Sequence, residues 1–334
     1  MTREFINIDP MRSESKYRQI IHSIVDGIRS GSIKRGDKLP SIGLLCKRHN
    51  LSRDTVMSAY NELKAKGIII SLPGKGYYID STETHITHNI FLLFDELNAF
   101  KEELYNSFLQ SLGSKGSAEV YFHHFNRKLF ESLIRENVGR YTTYVVMPAM
   151  FSDITALLST IPGKVIILDQ LPEELKGTFP SVHQNFERTV YQGLMEGRDR
   201  ITRYNKFVMV YPGGKEPVGQ LTGFKRFCNE AGIPYEVING AEGRSVRKGE
   251  AYFAIWDCDL VQLVKASQKE GYILGKDIGI ISYNDAPLKE VVANGITTIS
   301  TDFREMGKTL ANLIINNINA QIENPSGLIL RGSL

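Results

Sequence analysis

The chain has 334 residues, 42% hydrophobic and 23% charged, with a formal net charge of +3. That length suggests about two domains, and the composition is that of a globular protein, which excludes a disordered, collagen-like or disulfide-scaffold chain. No apolar run approaches the ~20 residues of a membrane helix. The first residues, Met1-Thr2-Arg3-Glu4-Phe5, have no apolar signal-peptide core, and three scattered cysteines, Cys46, Cys228 and Cys258, argue against disulfides or structural zinc and fit a reducing cytoplasm.

Charge divides the chain. Residues 1–79 hold 14 Lys+Arg against 7 Asp+Glu, whereas 80–334 hold 26 against 30. A basic segment joined to an acidic one suggests that the first meets a polyanion, an inert basic surface being the alternative. Tyr17, Ile20, Ile21, Ile24 and Ile28 share one face of a 3.6-residue period, predicting a helix over about 16–30 that Gly31 stops. Ser41 can cap a short helix carrying Leu44 and Leu45. Asn50-Leu51 breaks it, and Ser52 can cap the next by accepting from the amide of Asp54 or Thr55. Val56, Ala59, Tyr60 and Leu63 form that third helix's buried stripe. Ile68-Ile69-Ile70 and Tyr77-Tyr78-Ile79 read as strands around a glycine-rich tip. The sum is a winged helix-turn-helix.

Its third helix is the candidate groove reader. Arg53 can fork onto guanine or a phosphate, and Thr55 and Ser58 can donate to phosphates. Asp54 can accept from a cytosine amine or simply complement the helix dipole. Met57 fits either packing or a thymine methyl. Lys75, between Gly74 and Gly76, can approach a DNA backbone or minor groove.

Lys16-Tyr17-x-Gln19-Ile20, Gly31-x-Ile33-x-x-Gly36-Asp37-x-Leu39-Pro40-Ser41, Leu51-Ser52-Arg53-x-Thr55-Val56, Leu63-x-x-x-Gly67-x-Ile69 and Gly74-Lys75-Gly76-Tyr77 together resemble the GntR family of bacterial regulators. The resemblance implies a dimer that sets two recognition helices in successive major grooves of duplex DNA and the wings in minor grooves. It carries contact roles to Ser52, Arg53, Asp54, Thr55, Gly74 and Lys75. Ile42, Gly43 and Met57 stand where many or some relatives have Glu, Arg and Arg, so the operator sequence does not carry over.

Residues 80–88 read as a polar linker, in which His85 and His88 are read as solvated rather than as metal ligands. From residue 89 strands and helices alternate. The predicted strands centre on Ile90-Phe91-Leu92-Leu93-Phe94, 120–125, 144–147, 165–168, 206–210, 235–238, 251–255, 278–281 and 297–299. The predicted helices lie near 101–113, 127–138, 151–160, 184–197, 219–231, 259–270 and 304–319. Such alternation means parallel sheets covered by helices, and eight or nine strands suit two doubly wound lobes with ligands at the strands' carboxyl ends. The expected class is therefore α/β: a winged helix-turn-helix over 1–79 and a bilobed body over 89–334.

Phe253-x-x-x-x-x-Asp259-Leu260, Gly271-Tyr272-x-x-x-x-Asp277-Ile278-Gly279-Ile280-Ile281-Ser282-Tyr283-Asn284-Asp285 and Ile296-Thr297-Thr298-Ile299-Ser300-Thr301-Asp302-Phe303-Arg304-x-Met306-Gly307 resemble the effector domain of the LacI family, a type I periplasmic-binding-protein fold. Asn98-Ala99-Phe100, Ile166-Ile167-Leu168-Asp169, Gly223-Phe224 and Ala231-Gly232-Ile233-Pro234 extend the match. The combination is similar to arabinose- or fucose-responsive sugar regulators. It implies a clamp closing on a small molecule, usually a sugar, with chain crossings near 186, 300 and 326. By position, the family's ligand residues fall on Asn98, Phe100, Asp169, Gln170, Gln220, Cys258, Asn284 and Thr301, and the strand ends add Trp256 and Asp257. Such carboxylates and amides pair hydroxyls, and an aromatic covers a sugar's apolar face.

Members often have Arg at Gln220, Asn at Cys258, Asp at Asn284 and Gln at Thr301, so the reduced charge here suggests a neutral ligand such as a pentose or deoxyhexose. Trp256 can instead be core, Cys258 an inert thiol, and Asp259 and Asp285 helix caps. Arg244 and Arg247 read as solvated, unless one supplies the guanidinium missing at Gln220. Gly213-Gly214-Lys215 lacks the spacing of a phosphate loop and reads as a surface turn.

The leading expectation is a ligand-gated, DNA-binding homodimer, without cofactor, metal or catalytic residues. The alternatives are a fused enzyme domain, whose Schiff-base lysine motif is not found here, or a body used only for dimerisation.

Overall fold

The computed structural model describes residues 6–9, 14–82 and 88–334. In the head, α1 (Lys16–Arg29), α2 (Ile42–His49) and α3 (Arg53–Ala65) pack around fully buried Ile20, Ile24, Val56, Ala59, Tyr60 and Leu63. Ser41 and Ser52 cap α2 and α3 by accepting from the amides of Leu44 and Thr55. Asn50 ends α2 in the left-handed region, and the Tyr60 hydroxyl donates to Pro40 O at 2.8 Å. Strands β1 (Ile69–Leu72) and β2 (Gly76–Ile79) form the wing. At its tip Lys75 N donates to Leu72 O and Gly74 takes φ 71°, the type II turn that a Pro-Gly pair favours.

The first lobe runs β3 (His88–Phe94), α4 (Ala99–Leu112), β4 (Gly116–Phe122), α5 (Arg127–Asn137), β5 (Thr143–Val146), α6 (Thr155–Leu158), β6 (Lys164–Asp169) and β7 (Ser181–His183). The second runs α7 (Phe186–Glu196), α8 (Arg198–Ile201), β8 (Lys206–Val210), α9 (Val218–Ala231), β9 (Tyr235–Ile238), β10 (Glu250–Ala254), α10 (Asp257–Lys269), β11 (Gly279–Tyr283), α11 (Pro287–Val291) and β12 (Thr297–Thr301). Then α12 (Phe303–Ile315) and β13 (Gln321–Glu323) return to the first lobe, and β14 (Ser326–Ile329) to the second. The two six-stranded sheets have orders β13-β7-β6-β5-β3-β4 and β14-β12-β11-β10-β8-β9.

Strand alternation explains the layering. Ile90, Leu92 and Phe94 meet α4 and α12, while Phe91 and Leu93 face α5 and α6 on the other side. In the second lobe Phe207 and Met209 meet α7 and α9, while Val208 and Val210 face α10. Gly307 lets α12 close on α4: a Cβ there would lie 2.5 Å from Leu104 O.

The chain passes between lobes at 184–185, 302 and 324–325, and the three segments are tied together. Asn324 N donates to His183 O (2.7 Å), Asp302 N to Pro325 O (3.0 Å), and Asn324 Nδ2 to Asp302 O (2.9 Å).

Several expectations are corrected. The body has twelve strands among the described residues, because β7, β13 and β14 are too short to show periodicity. β14 runs antiparallel to β12, so the second sheet is not wholly parallel. β4 starts at Gly116 and ends at Phe122, and His124 and Phe125 turn away at φ 47° and 57°. The helix expected over 151–160 shrinks to α6, and the one expected to reach 319 stops at Ile315.

Candidate functional site

Two surfaces gather the chemistry. On the head, the buried stripe of α3 turns Ser52, Arg53, Asp54, Ser58 and Asn61 to solvent, with Thr55 and Met57 half-buried. The Ser52 and Thr55 hydroxyls lie 2.7 Å apart. Arg53, Asp54 and Lys75 enter no ion pair among the described residues, and Lys75 stands exposed at the wing tip beside Gly74. The first turn of α3 points its amides outward, where the helix dipole favours a phosphate.

The second surface is a cavity of about 390 Å³ between the lobes, at the carboxyl ends of the strands. The turn after β3 supplies Asp95, Glu96 and Asn98, and the first turn of α4 supplies Phe100 and Lys101. Asn98 caps α4 by accepting from Lys101 N at 3.0 Å, and its amide nitrogen donates to Glu96 Oε1 at 3.4 Å. Lys101 and Asp95 form a buried ion pair. Phe100 stacks on Phe303 with centroids 5.5 Å apart. β6 ends in Asp169 and Gln170. Asp169 is buried at φ 73°, and its carboxylate accepts from Gln184 Nε2. Burial holds its pKa above the usual range; Lys101 opposes that shift, and Asp95 and Glu216 add to it.

From the second lobe come Lys215, Glu216, Gln220, Trp256, Asp257, Cys258 and Asn284. Trp256 is 38% exposed and donates from Nε1 to Glu216 at 2.7 Å, so it forms cleft wall rather than core. Gln220 is 1% exposed and its Oε1 has no partner, as is true of Asn284 Oδ1. Lys289, which no sequence pattern singled out, is buried behind this wall. It donates to Ser282 Oγ and to the carbonyls of Tyr283 and Asn284, and pairs with Asp257 at 2.7 Å. Burial lowers its pKa.

Nine of the ten residues expected at the site thus line one cavity. The tenth, Thr301, does not: it is buried behind the cleft, and its hydroxyl donates to Gln184 Oε1. Gln184 in turn holds Asp169, so a relay runs from the crossing segments to the cleft. Neither Arg244 nor Arg247 lines the cleft. Arg244 forks onto Glu236 at 3.0 and 2.9 Å, and both arginines border a separate hollow. Asp259 accepts from Ala241 N and Asp285 accepts from Arg331 and Thr298, so both anchor loops rather than cap helices. The turn at Gly213-Gly214 is not a bland surface loop. Both glycines have φ near 65° (69° and 64°), and Lys215 reaches across the cleft to Glu96 at 2.5 Å and over the Phe125 ring at 5.0 Å.

His85 lies outside the described residues, and His88 opens β3, with its pKa lowered by burial and by Lys164, Lys66 and Lys115. Among the described residues no helix is long and apolar enough to cross a membrane, and no three His, Cys, Asp or Glu side chains group as a metal site.

Comparison with known proteins follows the same division. Residues 16–79 match the gntR family of bacterial regulatory proteins, and residues 202–334 match the periplasmic binding protein-like domain. The HTH-type transcriptional repressor YtrA of Bacillus subtilis is 43% identical over 74 residues, 22% of this chain and 57% of YtrA. The HTH-type transcriptional regulator GalR of Streptococcus thermophilus is 23% identical over 232 residues, 61% of this chain and 66% of GalR. The chain therefore spans less than two thirds of either relative. A crystal structure of a LacI family transcriptional regulator from Enterococcus faecalis with bound ribose superposes with a TM-score of 0.61 at 20% identity, covering 73% of this chain and 98% of that one. The chain joins a gntR-family winged helix-turn-helix head to a periplasmic-binding-protein-like body that has the fold of LacI-family regulators.

Proposed function

We propose that this chain is a ligand-gated transcription regulator, a repressor of genes for sugar use, in which the head grips operator DNA and the body senses a sugar. The observation that carries the reading is the pairing of a solvent-facing recognition helix with a second, separate cleft rich in groups that hold hydroxyls. Arg53 and Asp54 read base edges, Ser52, Thr55 and Lys75 hold phosphates, and Gly74 lets the wing tip approach the duplex. In the cleft, Asn98, Asp169, Gln170, Gln220 and Asn284 pair hydroxyls, Phe100 and Trp256 cover the apolar face of a ring, and Asp257 and Cys258 close the wall. A cavity of about 390 Å³ is at the small end of the ~300–1,000 Å³ range of small-molecule sites, which suits a single sugar ring such as a pentose or deoxyhexose. YtrA, named a repressor, and the ribose-bound E. faecalis structure favour the same reading.

The active unit is a homodimer. Leu288 and Val291 on α11 are 75% and 73% exposed, and Val292, Ile329 and Leu330 continue an apolar patch onto edge strand β14. Edge strands with exposed apolar side chains are natural pairing faces.

A gel-shift titration at 100 mM salt, using DNA from beside the gene, tests the reading. The expected result is specific retention that a monosaccharide from a pentose and deoxyhexose panel weakens. Equal affinity for random duplex refutes the DNA role, and retention unmoved by any ligand refutes the gating.

A further inference from the structure

The cleft has a charge balance that the strand-end residues alone do not reveal. Five carboxylates line it: Asp95, Glu96, Asp169, Glu216 and Asp257. Three ammonium groups are at hand, and each already holds one carboxylate. Lys101 pairs with Asp95, Lys215 with Glu96 and Lys289 with Asp257. Lys101, the cation that acts on Asp169, is already committed to Asp95, and Asp169 and Glu216 form no ion pair among the described residues. They belong to opposite lobes: Asp169 ends β6, and Glu216 follows the Gly213-Gly214 turn. Each is steered by a neutral donor, Gln184 Nε2 for Asp169 and Trp256 Nε1 for Glu216, which fixes the position of the carboxylates and brings no positive charge to them.

We infer that Asp169 and Glu216 form a cation subsite, and that the ligand of this cleft is a polyhydroxylated molecule carrying a protonated amine, an amino sugar or a sugar–amine adduct. The inference rests on the sugar reading of the cleft proposed above and adds an ammonium group to that ring.

Three physical points support it. A buried carboxylate such as Asp169 without a counter-charge of its own is costly, and the half-buried Glu216 carboxylate adds to that cost. An ammonium offers three donors and no acceptor. Gln220 Oε1, buried with no partner on the same wall, is a further acceptor awaiting a donor. A neutral hydroxyl meets the hydrogen-bonding need of these groups but leaves the two charges uncompensated; an ammonium meets both. Asp169 at φ 73° is also a position that side chains other than glycine occupy reluctantly, so the backbone is held there by its surroundings, with the carboxylate at the strand end.

Isothermal titration calorimetry on the full chain at pH 7 and 150 mM NaCl tests this with matched probes. These are 2-amino-2-deoxy, 6-amino-6-deoxy and 1-amino-1-deoxy sugars, each against its neutral parent and its N-acetyl form, with putrescine as an amine that is not a sugar. At least one amine binds tenfold or more tighter than both of its neutral counterparts, and Asp169→Asn or Glu216→Gln drives that ratio toward one. Glu216 sits half-buried in a turn outside the core, so Glu216→Gln keeps the test open where Asp169→Asn fails to fold. Neutral members binding as well as amines overturns the inference and leaves the sugar reading intact. An amine preference that neither variant alters overturns the subsite. Putrescine binding with no sugar binding supports the subsite and overturns the sugar. Binding of no probe overturns both.

Discussion

Lys215 is the side chain whose loss should most change how the clamp moves. It comes from the second lobe and meets two first-lobe groups, Glu96 at 2.5 Å and the Phe125 ring at 5.0 Å. Its side chain is 35% exposed and that of Glu96 30%, so water screens the pair and the net ion-pair contribution is about 0.5–1 kcal/mol. The cation over the ring adds ~0.5–1 kcal/mol. Lys215→Met keeps the stem and removes both, about 1–2 kcal/mol in all. At 1.4 kcal/mol per factor of ten, that shifts the closed-to-open ratio by roughly 5- to 30-fold. Spin labels on α5 and α10 report the distance between lobes, and calorimetry reports ligand affinity. The variant should populate longer distances and bind ligand several-fold more weakly, with the deficit shrinking in 1 M salt as the wild-type ion pair is screened. Distances and affinity both within twofold of wild type refute the idea that this contact latches the cleft.

Lys101→Met leaves Asp95 buried without a counter-ion, the two side chains being 9% and 5% exposed. It should cost about 3–5 kcal/mol in denaturant unfolding, most of it restored by adding Asp95→Asn. Gly307→Ala places a Cβ 2.5 Å from Leu104 O and 2.7 Å from Phe108 N, forcing α12 off α4. A loss of ~1–3 kcal/mol is expected, whereas Gly43→Ala, with nothing within 4 Å in α2, should stabilise by ~0.5–1 kcal/mol. Arg244 and Lys206 hold Glu236 at about 2. Its folded pKa lies below the unfolded value of ~4.3, so the stabilisation is present above ~4.3 and is lost as pH falls toward about 2. Glu236→Gln should flatten acid unfolding in that window by less than ~1 kcal/mol, because the site is one-third exposed. Arg53→Ala should cost ~1–3 kcal/mol in DNA affinity and relax base preference, while Lys75→Ala should weaken all duplexes alike and lower the salt slope by ~0.9, both read by fluorescence anisotropy.

Much of this was legible in the sequence because local rules agreed with the fold. Ser52 before a stripe of Val56, Ala59, Tyr60 and Leu63 specifies the capped helix α3, and continuous apolar runs such as Ile90–Phe94 specify strands buried on both faces. Nine of the ten strand-end residues come to one cavity because a doubly wound sheet delivers them to one edge. What escaped was set by tertiary contact. β7, β13 and β14 carry neither a period nor an apolar run, unlike the equally short β5. Thr301 occupies a strand end, yet its hydroxyl turns inward to Gln184 because the crossing segments pack there. Lys289 has no motif, since a buried lysine is defined only by the carbonyls that surround it. Lys215 looked like turn decoration until two left-handed glycines aimed it across the cleft.

The placement of these parts suggests how a ligand reaches the DNA. The head is followed in the chain by the first lobe, which begins with β3. The proposed dimer patch, Leu288, Val291 and Ile329, lies entirely on the second. If the second lobes are fixed to each other, any rotation at the three crossings is delivered to the heads as a change in their separation. Two recognition helices tolerate little such change, because successive major grooves repeat at about 34–36 Å. Asp169 sits one hydrogen bond from Gln184, and Gln184 one from Thr301, so a ligand held at Asp169 as proposed would act on the crossings directly. Leu288→Lys with Val291→Lys should therefore do more than give monomers in sedimentation: it should abolish the ligand's effect on DNA while leaving ligand affinity within about twofold, since RT ln 2 is only ~0.4 kcal/mol of coupling. Monomers that still released DNA on ligand binding would mean that the signal passes within one chain, from lobe to head, and not through the dimer.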